Sequence, residues 1–174
     1  MKARVLWTIG HSTRPIQEFV NLLLRQGIRH VVDVRAIPFS RHNPQFNQDV
    51  LSKSLEKTGI GYSHIAALGG RRKSRSDSKN TGWRNASFRA YADYMQTPNF
   101  QEAIQELTGL AADIRSVIMC AEAVPWRCHR SLIADAAVAQ GWTVLEIVGE
   151  GEPKPHTLPE WAATENGVVI YPGS

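Results

Sequence analysis

Cysteine is scarce in this chain: Cys120 and Cys128 are the only two among 174 residues. Two thiols permit one disulfide at most, so a disulfide framework is excluded, and a domain of this length buries enough core to fold without one. The pair and the adjacent His129 also fall short of a four-ligand zinc pattern, which would need His11 or His64 to complete it. No metal and no cofactor are expected. Long apolar runs are missing too. None approaches the roughly 20 residues that span a bilayer, so no membrane partner is expected. The segment from Met1 to Trp7 leads straight into a strand pattern, without the longer apolar region and small-residue cleavage site of a secretion signal. The expected compartment is the cytoplasm, where thiols stay reduced.

Several recognised motifs are absent. There is no Gly-x-Gly-x-x-Gly fingerprint and no Gly-x-x-x-x-Gly-Lys phosphate loop. A phosphatase loop of the Cys-x5-Arg kind needs arginine where Trp126 stands or, counted from Cys128, where Ala134 stands. Cys120 and Cys128 lie too far apart for a Cys-x-x-Cys redox motif. Acidic residues run short in one place. Between 71 and 89 the basic residues Arg71, Arg72, Lys73, Arg75, Lys79, Arg84 and Arg89 face Asp77 alone, an excess larger than the formal net charge of +4 for the whole chain. Such a Ser/Asn-rich basic stretch reads either as a solvated loop or as a phosphate or nucleic-acid contact surface. No RNA-binding or helix-turn-helix signature accompanies it.

What is present is an ordinary globular composition, 43% hydrophobic and 21% charged, arranged in a regular alternation. Short apolar runs at 5–9, 30–34, 61–65, 116–120 and 142–148 read as strands. Between them lie helical patterns. The first is opened by Pro15, with Ile16, Phe19, Val20, Leu22, Leu23 and Leu24 inward, and stopped by Gly27. Others follow at 47–57, 87–95, 99–111 and 128–140, the middle two separated at Thr97-Pro98. Strands nearly continuous in apolar residues, alternating with helices, predict an α/β protein. The expected architecture is three-layer α/β/α with a mostly parallel sheet of about five strands. One domain is expected over 1–174, closed by a Gly/Pro-rich C-terminal extension at 150–174 that carries a short strand near 168–171.

In a parallel sheet the loops that follow the strands share one edge, where ligands bind. Four such loops carry polar or special residues: Gly10-His11-Ser12, Arg35 through His42, Gly69-Gly70-Arg71-Arg72, and Cys120 through Arg130. Cys128 is read at a helix start beside Arg127, His129 and Arg130, where the dipole and the cations favour a thiolate. Packing alone is the competing reading, and the plainer one. Cys120, ending an apolar strand, reads as a small buried hydrophobe that supports the site from behind. Glu122 and His129 are the candidate proton-transfer groups, although Glu122 would serve as well paired with Arg127 or Arg130. His11 and Ser12 follow a glycine and are placed to bind an anion; capping alone accounts for the serine. Asp33 lies between two valines and, if buried, needs a cation or hydrogen bonds, so it is expected to orient Arg35. Arg35, Arg41 and Arg130 are the expected anion-binding cations, with Gly69 and Gly70 allowing close approach of a substrate.

Val32-Asp33-Val34-Arg35 is similar to the Asp-Val-Arg strand of rhodanese-type sulfurtransferases, but the cysteine loop here lacks their compact glycine-containing pattern. A wider set resembles a bacterial and archaeal family known as domain of unknown function 488. The set comprises Thr8-Ile9-Gly10-His11-Ser12, Val32-Asp33-Val34-Arg35 with Pro38, Ser40-Arg41 with Pro44 and Phe46, and Leu68-Gly69-Gly70. It continues with Tyr91, Met95-Gln96-Thr97, Met119-Cys120-Ala121-Glu122 with Pro125, and Cys128-His129-Arg130. These pieces run in order over about the first 150 residues. The resemblance implies a fold and a set of site positions, and no reaction.

Three functions stay open at this point. The first is an enzyme acting on a phosphate-bearing small molecule or nucleic acid, with Arg35, Arg41 and Arg130 neutralising the anion, Glu122 or His129 handling protons, and Cys128 as nucleophile or helix-start donor. The second is a non-catalytic nucleic-acid binder that uses residues 71–89. The third is thiol redox or sulfur transfer through Cys128.

Overall fold

A computed structural model describes residues 4–173. The chain alternates β1 (Val5–Gly10), α1 (Ile16–Arg25), β2 (His30–Asp33), α2 (Gln48–Glu56) and β3 (Gly61–His64). It continues through α3 (Ala86–Met95), α4 (Pro98–Asp113), β4 (Ser116–Cys120), α5 (Arg130–Ala139) and β5 (Thr143–Ile147). Strands β1 to β5 pair in parallel in the order β3-β2-β4-β1-β5. The short β6 (Lys154–Pro155) adds antiparallel to β5. A separate hairpin joins β7 (Ala163–Glu165) to β8 (Val168–Ile170). The helix boundaries follow local chemistry. Pro15 presets the backbone ahead of α1, Asn85 caps α3 by accepting from the Ser87 and Phe88 amides, and Thr97 caps α4 through the Phe100 amide.

Strand alternation divides the apolar side chains between two cores. Trp7, Ile9, Val31, Val117, Met119 and Ile147 pack with Phe19, Leu22 and Leu23 of α1 and Leu51 and Leu55 of α2. Leu6, Val32, Ile118, Cys120 and Val144 pack with α3, α4 and α5. The result is the three-layer α/β/α arrangement expected from the alternation, with six strands in the main sheet. Among the described residues no helix is long and apolar enough to cross a membrane.

Three local expectations change. Leu24, assigned to the inner face of α1, is 48% exposed. The last helix begins at Arg130, not at 128, because Pro125–Arg127 form a 3-10 turn and leave Cys128 extended. The C-terminal segment is more than an appendage: Tyr171 is fully buried, its hydroxyl donates to Asp135 of α5 at 2.5 Å, and its amide donates to Asn80 at 2.9 Å.

Strands β4 and β1 lie side by side, yet the chain leaves β1 toward β2 and leaves β4 toward β5. Neighbouring strands whose connections part in this way open a crevice at their carboxyl ends, the usual ligand position in such sheets. Cys120 is the last residue of β4.

Candidate active site

Gly10 sets the local geometry. A Cβ at this position would lie 1.6 Å from the Glu122 carbonyl oxygen, so only glycine lets the loop after β4 cross the end of β1. Two backbone bonds, from the His11 amide to the Cys120 carbonyl at 2.8 Å and from the Ser12 amide to the Ala121 carbonyl at 2.9 Å, close the crossing. The Glu122 carbonyl is thereby turned toward Arg130, whose Nη2 donates to it at 2.9 Å.

Arg130 is fully buried. Its Nη1 donates to Thr8 at 2.8 Å and to both carboxylate oxygens of Glu146 at 2.5 and 2.6 Å. Its Nε donates to Cys120 Sγ at 3.0 Å, and its backbone amide reaches Cys128 Sγ at 3.5 Å. One residue therefore holds both sulfurs. The two thiols line the same pocket and shift each other's proton affinity. Burial pushes the Cys120 thiol up, but the neighbouring Cys128 and the Arg130 guanidinium outweigh it and bring it from its ordinary 9.0 down to about 7. The neighbouring Cys120, with burial added, pushes Cys128 far up. Of the two, Cys120 is shifted toward the thiolate and Cys128 toward keeping its proton. This exchanges the roles expected from the sequence. Cys128 lacks the helix-start position assumed for it, while Cys120, read as packing, has the cation.

Both sulfurs open on a pocket of about 260 Å³, whose lining adds Arg35, Gly70, Arg71, Ser87, Phe88, Tyr91, Glu122, Arg127 and His129. Among the described residues neither Arg71 nor Arg127 is held in an ion pair. His129 donates from Nε2 to the Val34 carbonyl at 2.8 Å, which leaves Nδ1 as an acceptor 3.6 Å from Cys128 Sγ. Burial lowers its pKa, so the ring is a neutral base. Gly70 leaves room beside it, since a Cβ there would sit 3.3 Å from Nδ1.

Arg35 forms the opposite wall. Asp33, fully buried, takes Nε at 2.9 Å and Nη2 at 2.7 Å, and the Tyr62 hydroxyl donates to the same carboxylate at 2.5 Å. Arg35 Nη1 meets His11 Nε2 at 3.4 Å, while His11 Nδ1 donates to the Ser12 carbonyl at 2.8 Å and the ring stacks on Phe46. Burial lowers His11 from 6.5 to about 4, helped by Arg35 against the Ser12 bond. The unfolded chain therefore binds more protons than the folded one between these values, and stability falls as pH drops from 6.5 toward 4. Denaturant midpoints measured across that window should show this slope, and His11→Asn should flatten it.

The pocket gathers Glu122, Cys128, His129, Arg35, Gly70 and Cys120, and leaves the other expected residues outside its lining. Arg130 is spent on Glu146 and the sulfurs, so it positions Cys120 and does not meet an anion directly. Arg41 is exposed on its loop. His11 is 2% exposed and faces Arg35 and Phe46, Ser12 follows it in a left-handed turn at φ 52, and Gly69 packs against Ala36. Glu122 is exposed at the pocket rim. Phe88 and Glu146 were not singled out from the sequence, while Arg71 and Arg127 were named there only within the basic segment and beside Cys128. Glu146 had a signal: an acid inside the apolar run of β5 requires a buried cation.

Three of the seven cations of the basic segment are engaged within the chain. Arg72 donates to the Gly69 carbonyl at 3.1 Å and lies 3.7 Å over the Tyr94 ring, Arg75 pairs with Asp77, and Arg89 caps the Trp83 carbonyl. Among the described residues no group of three or more His, Cys, Asp or Glu side chains is placed to hold a metal ion. The family described as Domain of unknown function DUF488 matches residues 15–137. No curated protein and no solved structure matches the chain.

Proposed function

The chain belongs to the DUF488 family, and on that premise we propose that it is a thiol-dependent enzyme in which Cys120 attacks a small anionic substrate, phosphate-bearing molecules among them. The observation that carries this reading is the Arg130 Nε donor 3.0 Å from a strand-end sulfur that opens on a cationic pocket. A buried guanidinium stabilises thiolate over thiol, and the thiolate is the nucleophile. Arg71 and Arg127 bind the anion, Phe88 and Tyr91 receive its apolar part, and the 260 Å³ volume suits one small molecule better than a nucleic-acid strand. With Arg72, Arg75 and Arg89 engaged internally, the nucleic-acid reading has less to act with.

Alkylation kinetics test the proposal. The rate of iodoacetamide modification at Cys120 should titrate with a midpoint near 7, and Cys120→Ser should remove that phase. Iodoacetate should react faster than the neutral reagent, an advantage that Arg71→Ala and Arg127→Ala each reduce. A midpoint at or above the free-thiol value of about 8.5 would sink the reading.

A further inference from the structure

Cys128 has no part in the first attack, yet it is placed beside the attacking sulfur with its own base. It is 6% exposed, it shares Arg130 with Cys120 through the backbone amide at 3.5 Å and Nε at 3.0 Å, and it opens on the same pocket. On its other side His129 offers the Nδ1 lone pair at 3.6 Å, with the tautomer fixed by the Nε2–H bond to the Val34 carbonyl. A thiolate, a second thiol on the same pocket and a neutral imidazole form the set needed for a two-step exchange at sulfur.

We infer that Cys128 is a resolving thiol and that the substrate's electrophilic centre is a disulfide carrying an anionic group. This rests on the reading of Cys120 as nucleophile and extends it. In the first step the Cys120 thiolate attacks one sulfur of the substrate disulfide. The Cys120–substrate S–S bond forms, the substrate's own S–S bond breaks, and the other half departs as a thiolate.

Loss of the Cys120 negative charge removes what held the proton on Cys128. That proton then passes to His129 Nδ1, and the Cys128 thiolate attacks Cys120 Sγ. The mixed disulfide breaks, the second half leaves as a thiolate that collects the proton from His129, and a Cys120–Cys128 disulfide remains. Two electrons have passed from the protein dithiol to the substrate. A thiol reductant, such as a small-molecule dithiol, returns the protein to its starting state by the reverse exchange.

The geometry also explains the division of labour. Arg130 donates its side chain to Cys120 and its backbone amide to Cys128, so both sulfurs are kept in register through the step in which they bond.

The test uses dithiobis(nitrobenzoate), an aromatic disulfide with a carboxylate on each ring, added in excess to the reduced full chain. The wild type should release two thionitrobenzoate ions per chain, retain none, and lose two hydrogens in intact mass. Cys128→Ser should release one and retain one on Cys120. His129→Gln should slow the second release relative to the first by about a hundredfold, within the usual scale of lost base catalysis.

If every ion released by the wild type is matched by one retained, the two thiols react independently and the resolving role is overturned, whatever the Cys128 variant does. If Cys120→Ser reacts as fast as the wild type, the nucleophile is misassigned and the reading beneath it fails instead.

Discussion

Arg130→Met should lower folding stability by about 3–5 kcal/mol and raise the Cys120 alkylation midpoint above 8.5. The guanidinium is fully buried and makes bonds to Thr8, Glu146, Cys120 and the Glu122 carbonyl. Its removal strands the Glu146 carboxylate, 5% exposed, in the interior. Burial already pushes that carboxyl up, against the opposing pull of Arg130. Without the pull it rises further. A folded-state pKa above the unfolded one means that the folded chain holds the proton more tightly, so the variant's deficit should be greatest at neutral pH and shrink as pH falls.

The double variant Arg130→Met/Glu146→Met separates the two consequences. Replacing a buried ion pair with apolar groups of similar size is often close to neutral, so most of the stability should return. The thiolate should not, because the guanidinium that favours it is then gone. Urea midpoints and iodoacetamide pH profiles on the three proteins check both halves. A double variant that recovered stability together with a midpoint near 7 would mean that Arg130 is not what activates the sulfur.

Much of the fold was readable because strand and helix periods are local. The apolar run from Ser116 to Cys120 is a strand with the same bounds in the sequence reading and in the structure, since all five of its residues are buried and nothing polar interrupts it. The shared strand-end edge was readable for the same reason. The roles within the site were not, because they depend on contacts made through space. Arg130 read as an anion-binding cation beside Cys128 and His129, and only the pairing of β1 with β5 brings Glu146 beneath it. Cys120 read as packing because what lowers its pKa comes from side chains eight and ten positions on, Cys128 and Arg130. The last 25 residues read as a Gly/Pro-rich extension because their anchors lie far away in sequence: Tyr171 binds Asp135 and Asn80, His156 pairs with Asp135, and Gln96 donates to the Val169 carbonyl.

Gly10→Ala should be the most damaging single-methyl change in the chain. The added carbon would meet the Glu122 carbonyl oxygen at 1.6 Å and its carbon at 2.4 Å, both backbone atoms that no rotamer change can move aside. Forcing a group into a closed contact typically costs 1–3 kcal/mol and sometimes more, and about 3 kcal/mol is expected here. Relief requires residues 121–123 to lift away from β1. That breaks the backbone bonds at His11 and Ser12 and draws the Glu122 carbonyl from Arg130 Nη2. Arg130 then loses one of the constraints that aim its Nε at Cys120, so the thiol midpoint should climb together with the loss of stability. Gly109→Ala is the matched control. It lies inside α4 with nothing within 4 Å of a new Cβ, and should stabilise the chain by about 0.5–1 kcal/mol through helix propensity while leaving the alkylation profile unchanged. If Gly10→Ala lost stability with the midpoint still near 7, the crossing of the β4 loop over β1 would be a folding constraint alone, and Arg130 would be held in place by Glu146 and Thr8 without it.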